Sequence, residues 1–357
     1  MRICFDAQAP GSNLTGAGKA FAFLLRRLRA DHPRHDYVLL AHERRAAWRL
    51  PRQLVWEQLE LPLRAWRAGA DVLHVTGGTA APLVRRGRLV MTVHDLAPTR
   101  HPELLPGPRS RWYWGRWVPR TARAADLVLV PSAATRRDLV TLAGVPEARI
   151  RVVPWGVALD AALPAPAEAI ERARAAYGLP GRYLLYVGTI DRRNDYGTLL
   201  EALGHLEPGL HLVVAGTVIE GRTDFRARVA RLGLGDRVRV LGYVPERDLP
   251  ALYGGAAVFV YPSFYEGFGL PVLEAMACGT PVVTYRTTSL PEVVGDAGVL
   301  LDPPVAPAAL AAELGRLAED GPWRRELVGR GLARAARFDW GVTARLTVEA
   351  YEALVTG

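Results

Sequence analysis

Eleven short apolar runs, separated by longer stretches of helical character, most constrain what this chain can become. Five lie in the first half: RICFDA, DYVLLA, DVLHVT, RLVMTVHD and ADLVLVPS. Six lie in the second: RYLLYVGT, LHLVVAGT, RVRVLGYV, AAVFVYPS, TPVVTY and GVLLDP. They are continuous Val/Leu/Ile runs rather than alternating ones, as expected of strands covered on both faces. Between them the spacing predicts helices over 16–30, 133–143, 197–206, 224–233, 247–255, 271–278 and 308–318. Regular β/α alternation specifies an α/β fold with parallel sheets.

The 357 residues leave room for two domains of ordinary size. Residues 152–182 are rich in Pro, Gly and Ala and contain no strand candidate, so the domain change is placed near 158–180. The expected division is 1–165, 166–338 and a closing helix at 339–357 that packs back on the first domain. In that helix Asp339 would cap the N-terminus, with Val342, Leu346 and Tyr351 or Leu354 as its buried stripe.

Bulk properties exclude several classes. No apolar run reaches the ~18 residues of a membrane span, and the opening MRICFDAQAPGSN lacks the apolar core of a secretory signal. Cys4 and Cys278 lie far apart within apolar segments and read as buried free thiols in a reducing compartment, the cytoplasm. The net charge is +9, carried almost wholly by arginine, since Lys19 is the sole lysine. Those arginines are scattered and no nucleic-acid-binding motif accompanies them, which argues against a nucleic-acid partner. No histidine, Cys or Asp-x-Asp pattern has metal-ligand spacing. Residues 109–126 mix arginine with three tryptophans. Two readings stay open there: a helix facing a membrane or an acceptor, or one docked on the first domain with its arginines in water.

The stretch FYEGFGLPVLE (264–274) carries the chemistry. It follows a strand, holds two glycines, and places Pro271 as the first helical residue, where its missing N–H costs nothing. Loop amides and a helix start there would present positive dipole to a diphosphate. Glu274, in the first turn, suits a ribose diol, and Glu266 would face whatever hangs from the phosphates.

Here the sequence resembles a family. SFYEGFGLPVLEAMACGTPVVTYRTTSLPEVVGDAGVLLDP (263–303) looks like the donor-binding region of family 4 retaining glycosyltransferases, the group 1 enzymes of the GT-B fold that include mannosyltransferases. YVGTIDRRNDYGTLLEAL (186–203), VLGYVPERDLPALYGGA (240–256), TVHDLAP (92–98), VVPWGV (152–157) and TGAGKAFAFLLRRL (15–28) continue the likeness in family order. The resemblance implies two Rossmann-like domains facing a central cleft, the first for acceptor and the second for donor. It implies transfer of a hexose from a UDP- or GDP-linked donor to an acceptor hydroxyl, with retention, without a metal and without a cofactor.

Position by position, it implies that Glu266 contacts the donor sugar and Glu274 the ribose. It assigns the amides of Gly267, Phe268, Gly269 and Leu270 to sugar hydroxyls and phosphate. Val244 would meet the base through its backbone, Gly16 would approach the donor phosphate, and His94 would lie beside the reacting sugar. The family lysine of the segment after VGT is Asn194 here, and Thr189 stands where many relatives carry arginine. Arg192 or Arg193 is the substitute at the diphosphate. A weakened or non-catalytic sugar-nucleotide-binding protein is the alternative that Asn194 supports. A GT-B epimerase would need acid and base groups for which no residues present themselves. A phosphorylase would need a cofactor lysine, and Lys19 alone is available.

Overall fold

The computed structural model describes residues 1–356 except 7–15, 42–49, 77–78, 106, 162, 220 and 222. Thr15, at the head of the TGAG motif, thus lies outside the described residues. The chain forms two compact units: Met1–Gly156 together with Asp339–Gly357, and Val157–Phe338.

The first unit is a six-stranded parallel sheet of β1 (Arg2–Asp6), β2 (Asp36–Leu40), β3 (Val72–Val75), β4 (Arg88–Thr92), β5 (Leu127–Val130) and β6 (Ile150–Val152), in the order β2-β1-β3-β4-β5-β6. Successive residues point to opposite faces and feed two cores. Ile3, Phe5, Val72, Val90 and Leu129 pack beneath the first helix, Gly16–Asp31, and the last, Trp340–Thr356. Cys4, Leu73, Val75, Met91 and Val130 pack on the other side with Trp56 and Leu61. Both faces are buried, which is why these strands read as unbroken apolar runs.

The second unit repeats the plan with β7 (Arg182–Val187), β8 (Leu210–Ala215), β9 (Val238–Gly242), β10 (Val258–Tyr261), β11 (Val282–Tyr285) and β12 (Val299–Leu301), ordered β12-β11-β10-β7-β8-β9. The chain enters at β7, runs outward through β8 and β9, then returns to the opposite side of β7 with β10. That reversal is a topological switch point, the place where open parallel sheets leave a crevice at their carboxyl ends.

All eleven expected strands are present. A twelfth, β6, was not anticipated: it is three residues long and Arg151 at its centre is exposed, which breaks the apolar signal. In the last helix Asp339 Oδ1 accepts from the amides of Gly341 (2.8 Å) and Val342 (3.2 Å), a true N-terminal cap. Its buried stripe is Trp340, Thr343, Ala344, Thr347, Val348 and Tyr351, with Leu346 and Leu354 at its margin. Val342 is 42% exposed, one helical step off the expected face. Both cysteines are buried free thiols. Among the described residues no helix is long and apolar enough to cross a membrane.

Candidate active site

At the carboxyl ends of β7 and β10, flanking the switch point, two loops are sewn together. Asn194 and Ser263 form an antiparallel bridge, the Asp195 amide donates to Pro262 O at 2.7 Å, and the Phe264 amide donates to Arg193 O at 2.9 Å. Asp195 accepts from the Thr198 amide (3.1 Å) as the cap of helix Tyr196–His205, and from the Tyr285 hydroxyl at 2.9 Å. The turn 191–195 therefore sits fixed beside the loop that carries Glu266.

Glu266 is half-buried and held from below. Its Oε1 accepts from the Ser263 hydroxyl at 2.8 Å and the Tyr261 hydroxyl at 3.0 Å. The loop backbone is pinned by three consecutive hydroxyl residues after β11. Thr287 donates to Ser263 O (2.8 Å), Thr288 accepts from the Glu266 amide (2.9 Å), and Ser289 donates to Glu266 O (2.9 Å) and Phe268 O (3.0 Å). Tyr186 and Tyr261 stack beneath the site with ring centroids 5.4 Å apart. Burial pushes both phenols well above their ordinary pKa, the Glu266 charge pushes them further, and Arg193 opposes it.

Gly269 has φ +104°, and a Cβ there would lie 2.8 Å from Leu290 Cδ2, so this corner requires glycine. Helix Leu270–Ala277 starts immediately after it, with Leu270 first and Pro271 second. The first turn contains no acid, so Glu274 falls one turn deeper than the sequence suggested. It is buried, and its Oε2 accepts from the Tyr253 hydroxyl at 3.0 Å. Gly267, Phe268, Gly269 and Leu270 are all buried in the same corner.

Thr189 is exposed just past β7, its carbonyl accepting from the Tyr186 hydroxyl at 3.1 Å. Arg192 is exposed and Arg193 half-buried. Asn194 is 5% exposed and its Oδ1 has no hydrogen-bond partner, an expensive arrangement for a buried amide. Val244 is buried beyond the end of β9, on the same carboxyl edge but two strands from β7. Thus 189–194 and 266–274 meet around the switch point, whereas Val244 stands apart along the edge. Reasoning from sequence missed the supports, Tyr253, Tyr261, Ser263 and Thr287–Ser289. Hydroxyl residues carry no spacing signal, although SF and TTS sit within the quoted motif.

In the first unit His94 follows β4. Its Nε2 lies 2.9 Å from Thr76 O, and because a carbonyl only accepts, Nε2 carries the proton. Nδ1 is then an acceptor, and it is buried without a partner. Burial holds the imidazole below its ordinary pKa, outweighing the Asp95 carboxylate and the Thr76 carbonyl, which favour the charged form. Trp155 meets the ring edge-on at 5.2 Å. A cavity of about 200 Å³ is lined by His94, Asp95, Thr99, Trp114 and Ala17. Thr99 Oγ1 is a second buried, unpartnered polar atom on its wall. Asp95 Oδ1 is engaged by the Ala97 amide at 2.8 Å. Gly16 is the exposed first residue of the helix whose next residue, Ala17, lines that cavity. Among the described residues, no three His, Cys, Asp or Glu side chains cluster as metal ligands would.

Comparison with known proteins agrees with this anatomy. The model of the glycosyl transferases group 1 family matches residues 169–333, and that of glycosyltransferase family 4 matches residues 14–161. An O-antigen chain mannosyltransferase B of Escherichia coli is 37% identical over 76% of this chain and 71% of its own length. A D-inositol 3-phosphate glycosyltransferase of Kineococcus radiotolerans is 34% identical over 75% of this chain and 66% of its own length. Among solved structures, HepE of Anabaena in complex with UDP and glucose superposes with TM-score 0.77 at 20% identity, covering 99% of this chain and all of that one. WaaG, a glycosyltransferase involved in lipopolysaccharide biosynthesis, superposes with TM-score 0.73 at 16% identity over the full length of both chains. The chain belongs to the family 4, group 1 glycosyltransferases and has their GT-B fold. It is accordingly an enzyme of the hexosyl-transferring kind.

Proposed function

We propose that this enzyme takes a hexose from a UDP- or GDP-linked donor and passes it to an acceptor hydroxyl with retention of anomeric configuration, without a metal. The donor is held at the switch point of the second unit and the acceptor by the first unit. The observation that carries the reading is the Glu266 carboxylate, clamped by Tyr261 and Ser263 on a loop tied to the Arg193 backbone through the Phe264 amide.

The chemistry requires charge on a departing diphosphate to be met as it develops. Arg193, Arg192 and the start of helix Leu270–Ala277 supply positive charge and dipole for that purpose. Glu274 meets the ribose diol and Glu266 a hydroxyl of the transferred sugar. The donor's own phosphate oxygen takes the acceptor proton in a front-face displacement, with no covalent enzyme intermediate. The neutral His94 offers Nδ1 as an acceptor to a hydroxyl of the reacting sugar. Relatives named for mannosyl and inositol-phosphate glycosyl transfer, and a neighbour solved with UDP and glucose, support a nucleotide-sugar donor.

A second reading, a sugar-nucleotide-binding protein without turnover, draws on Asn194 standing where the family has lysine. Turnover of a panel of UDP- and GDP-hexoses separates the two. Release of nucleoside diphosphate that Glu266→Ala and His94→Ala both suppress supports transfer. Tight donor binding with neither transfer nor hydrolysis supports the second reading.

A further inference from the structure

Near His94, on the sheet face covered by the last helix, lies a second histidine that the mechanism leaves unused. His74 on β3 and Thr76 just beyond it are alternate residues and share that face, as do Thr92 at the end of β4 and His94. The register His74↔Val90 and Val75↔Met91 sets the two pairs side by side, and all four residues line one small internal cavity. Two cross-links join the pairs. His74 Nε2 lies 2.7 Å from Thr92 Oγ1, and His94 Nε2 lies 2.9 Å from Thr76 O. On its other side, His74 Nδ1 lies 2.6 Å from the Tyr351 hydroxyl of the last helix. The His74 ring is wholly buried, and Phe5 at 5.4 Å and Tyr351 edge-on at 5.7 Å fix its orientation.

The protons along this path can be placed. The Tyr351 phenol is buried, and its hydrogen-bond partner among the described residues is His74 Nδ1. A phenol that accepted there would leave its own proton buried and unpaired, so Tyr351 donates and Nδ1 accepts. Burial keeps the ring neutral. A neutral imidazole that accepts at Nδ1 carries its proton on Nε2 and donates it to Thr92 Oγ1. His94 has the same tautomer, set by Thr76 O. Thr92 is thereby held from the last helix, by a chain that runs from Tyr351 through His74, on the strand that leads directly to His94.

We propose that His74 is a positioning residue for His94: with Tyr351 it anchors Thr92 and the end of β4, so that the His94–Thr76 bond stays formed and Nδ1 stays unprotonated for the reacting sugar. The proposal rests on the role given to His94 above. A histidine that served the fold alone would change stability but not the rate per folded molecule.

The test combines kcat and donor KM, measured with whichever UDP- or GDP-hexose is turned over fastest, with nitrogen NMR of the histidine-labelled full chain. The His94 signals are assigned by their loss in His94→Ala. His74→Leu removes both contacts. It is expected to lower kcat by roughly tenfold to a hundredfold with donor KM within about threefold, and to move the His94 Nδ1 signal away from its unprotonated position. His74→Gln keeps one donor and one acceptor and is expected to hold kcat within about threefold of the wild type. Tyr351→Phe removes a single hydroxyl on another element, should lower kcat by at least about threefold, and decides the matter if His74→Leu does not fold. In the His94→Ala background, His74→Leu should cost no further kcat. Unchanged kcat in both His74→Leu and Tyr351→Phe would overturn the proposal. So would a full additional loss in the double variant, or His94 signals identical to the wild type in both single variants. If no donor is turned over, or His94→Ala leaves turnover intact, the functional reading of His94 fails instead, and the NMR signals alone decide the positioning.

Discussion

Asn194 and Ser263 are joined backbone to backbone across the switch point of the second unit, and Ser263 in turn donates to Glu266 at 2.8 Å. One residue on the turn after β7 is thereby linked, through one hydroxyl, to the carboxylate on the loop after β10. The two loops share a frame, so changes in one should be read out in the other.

Ser263→Ala removes one of the two donors to Glu266 Oε1 and leaves Tyr261 as the other. Loss of one hydrogen bond to a charged group, about 1.5–3 kcal/mol, predicts a fall in kcat/KM of roughly tenfold or more. Ser263→Ala combined with Tyr261→Phe should be more severe than either alone. Steady-state kinetics with a fixed donor checks this. Unchanged kinetics in the double variant would mean that Glu266 needs no positioning.

Arg193, rather than residue 194, is predicted to carry the diphosphate. Arg193→Ala should weaken donor binding by at least roughly tenfold, the scale of a charge-assisted contact. Asn194→Lys should alter it by less than about threefold. Calorimetric titration of both variants decides the matter, and a large gain in affinity from Asn194→Lys would show that the substitution of lysine had cost the enzyme its phosphate contact.

Glu57 sets a pH limit on the first unit. Its Oε1 accepts from Gln53 (2.6 Å), the Ala80 amide (3.1 Å) and the Tyr113 hydroxyl, yet its buried Oε2 has no partner. Burial raises this carboxyl to about 7, the Tyr113, Gln53 and Ala80 hydrogen bonds opposing and Asp6 adding a small push upward. A raised acid binds its proton more tightly folded than unfolded. Its stabilisation is therefore full below pH ~4.5 and is lost as pH rises through about 7, on the order of 3 kcal/mol in all. Glu57→Gln should lose less stability than the wild type between pH 5 and pH 8.5 in denaturant titrations.

His74 works in the opposite direction. It is wholly buried, its ring nitrogens within 2.6 Å of the Tyr351 hydroxyl and 2.7 Å of Thr92 Oγ1. Burial, with a smaller contribution from His94, lowers its pKa to about 3. A depressed histidine contributes stability that is intact above pH ~6.5 and drains away as the solution is acidified toward 3, by about 1.4 kcal/mol per pH unit. His74→Gln should flatten the acid limb of the stability profile by about one proton's worth. Tyr351→Phe should cost about 1 kcal/mol while leaving KM for the donor unchanged.

Much of this architecture is written in local pattern. Strands buried on both faces announce themselves as apolar runs, and the Glu266–Glu274 stretch is legible because glycines, proline and acids have distinct backbone and charge roles. β6 escaped because three residues with a central exposed arginine give no periodicity. Val342 was misplaced because Trp340, packed 5.7 Å from Phe23, sets the orientation of the last helix. Glu274 proved one turn deeper because the left-handed Gly269 lets the helix begin at Leu270. The hydroxyl supports of Glu266, the unpaired Oε2 of Glu57 and the Tyr351–His74–Thr92 chain exist only once distant segments meet.

The central claim is that the second unit grips a nucleoside diphosphate sugar for transfer. Its most direct measurement is thermal stability against a panel of nucleoside diphosphates and their hexoses, followed by release of nucleoside diphosphate from whichever donor binds. One donor class should stabilise the chain by about 2.7 kcal/mol at a hundred times its Kd, with diphosphate released by the wild type and at least roughly a hundredfold more slowly by Glu266→Ala. No stabilisation by any member of the panel, or release unchanged by Glu266→Ala, would contradict the account.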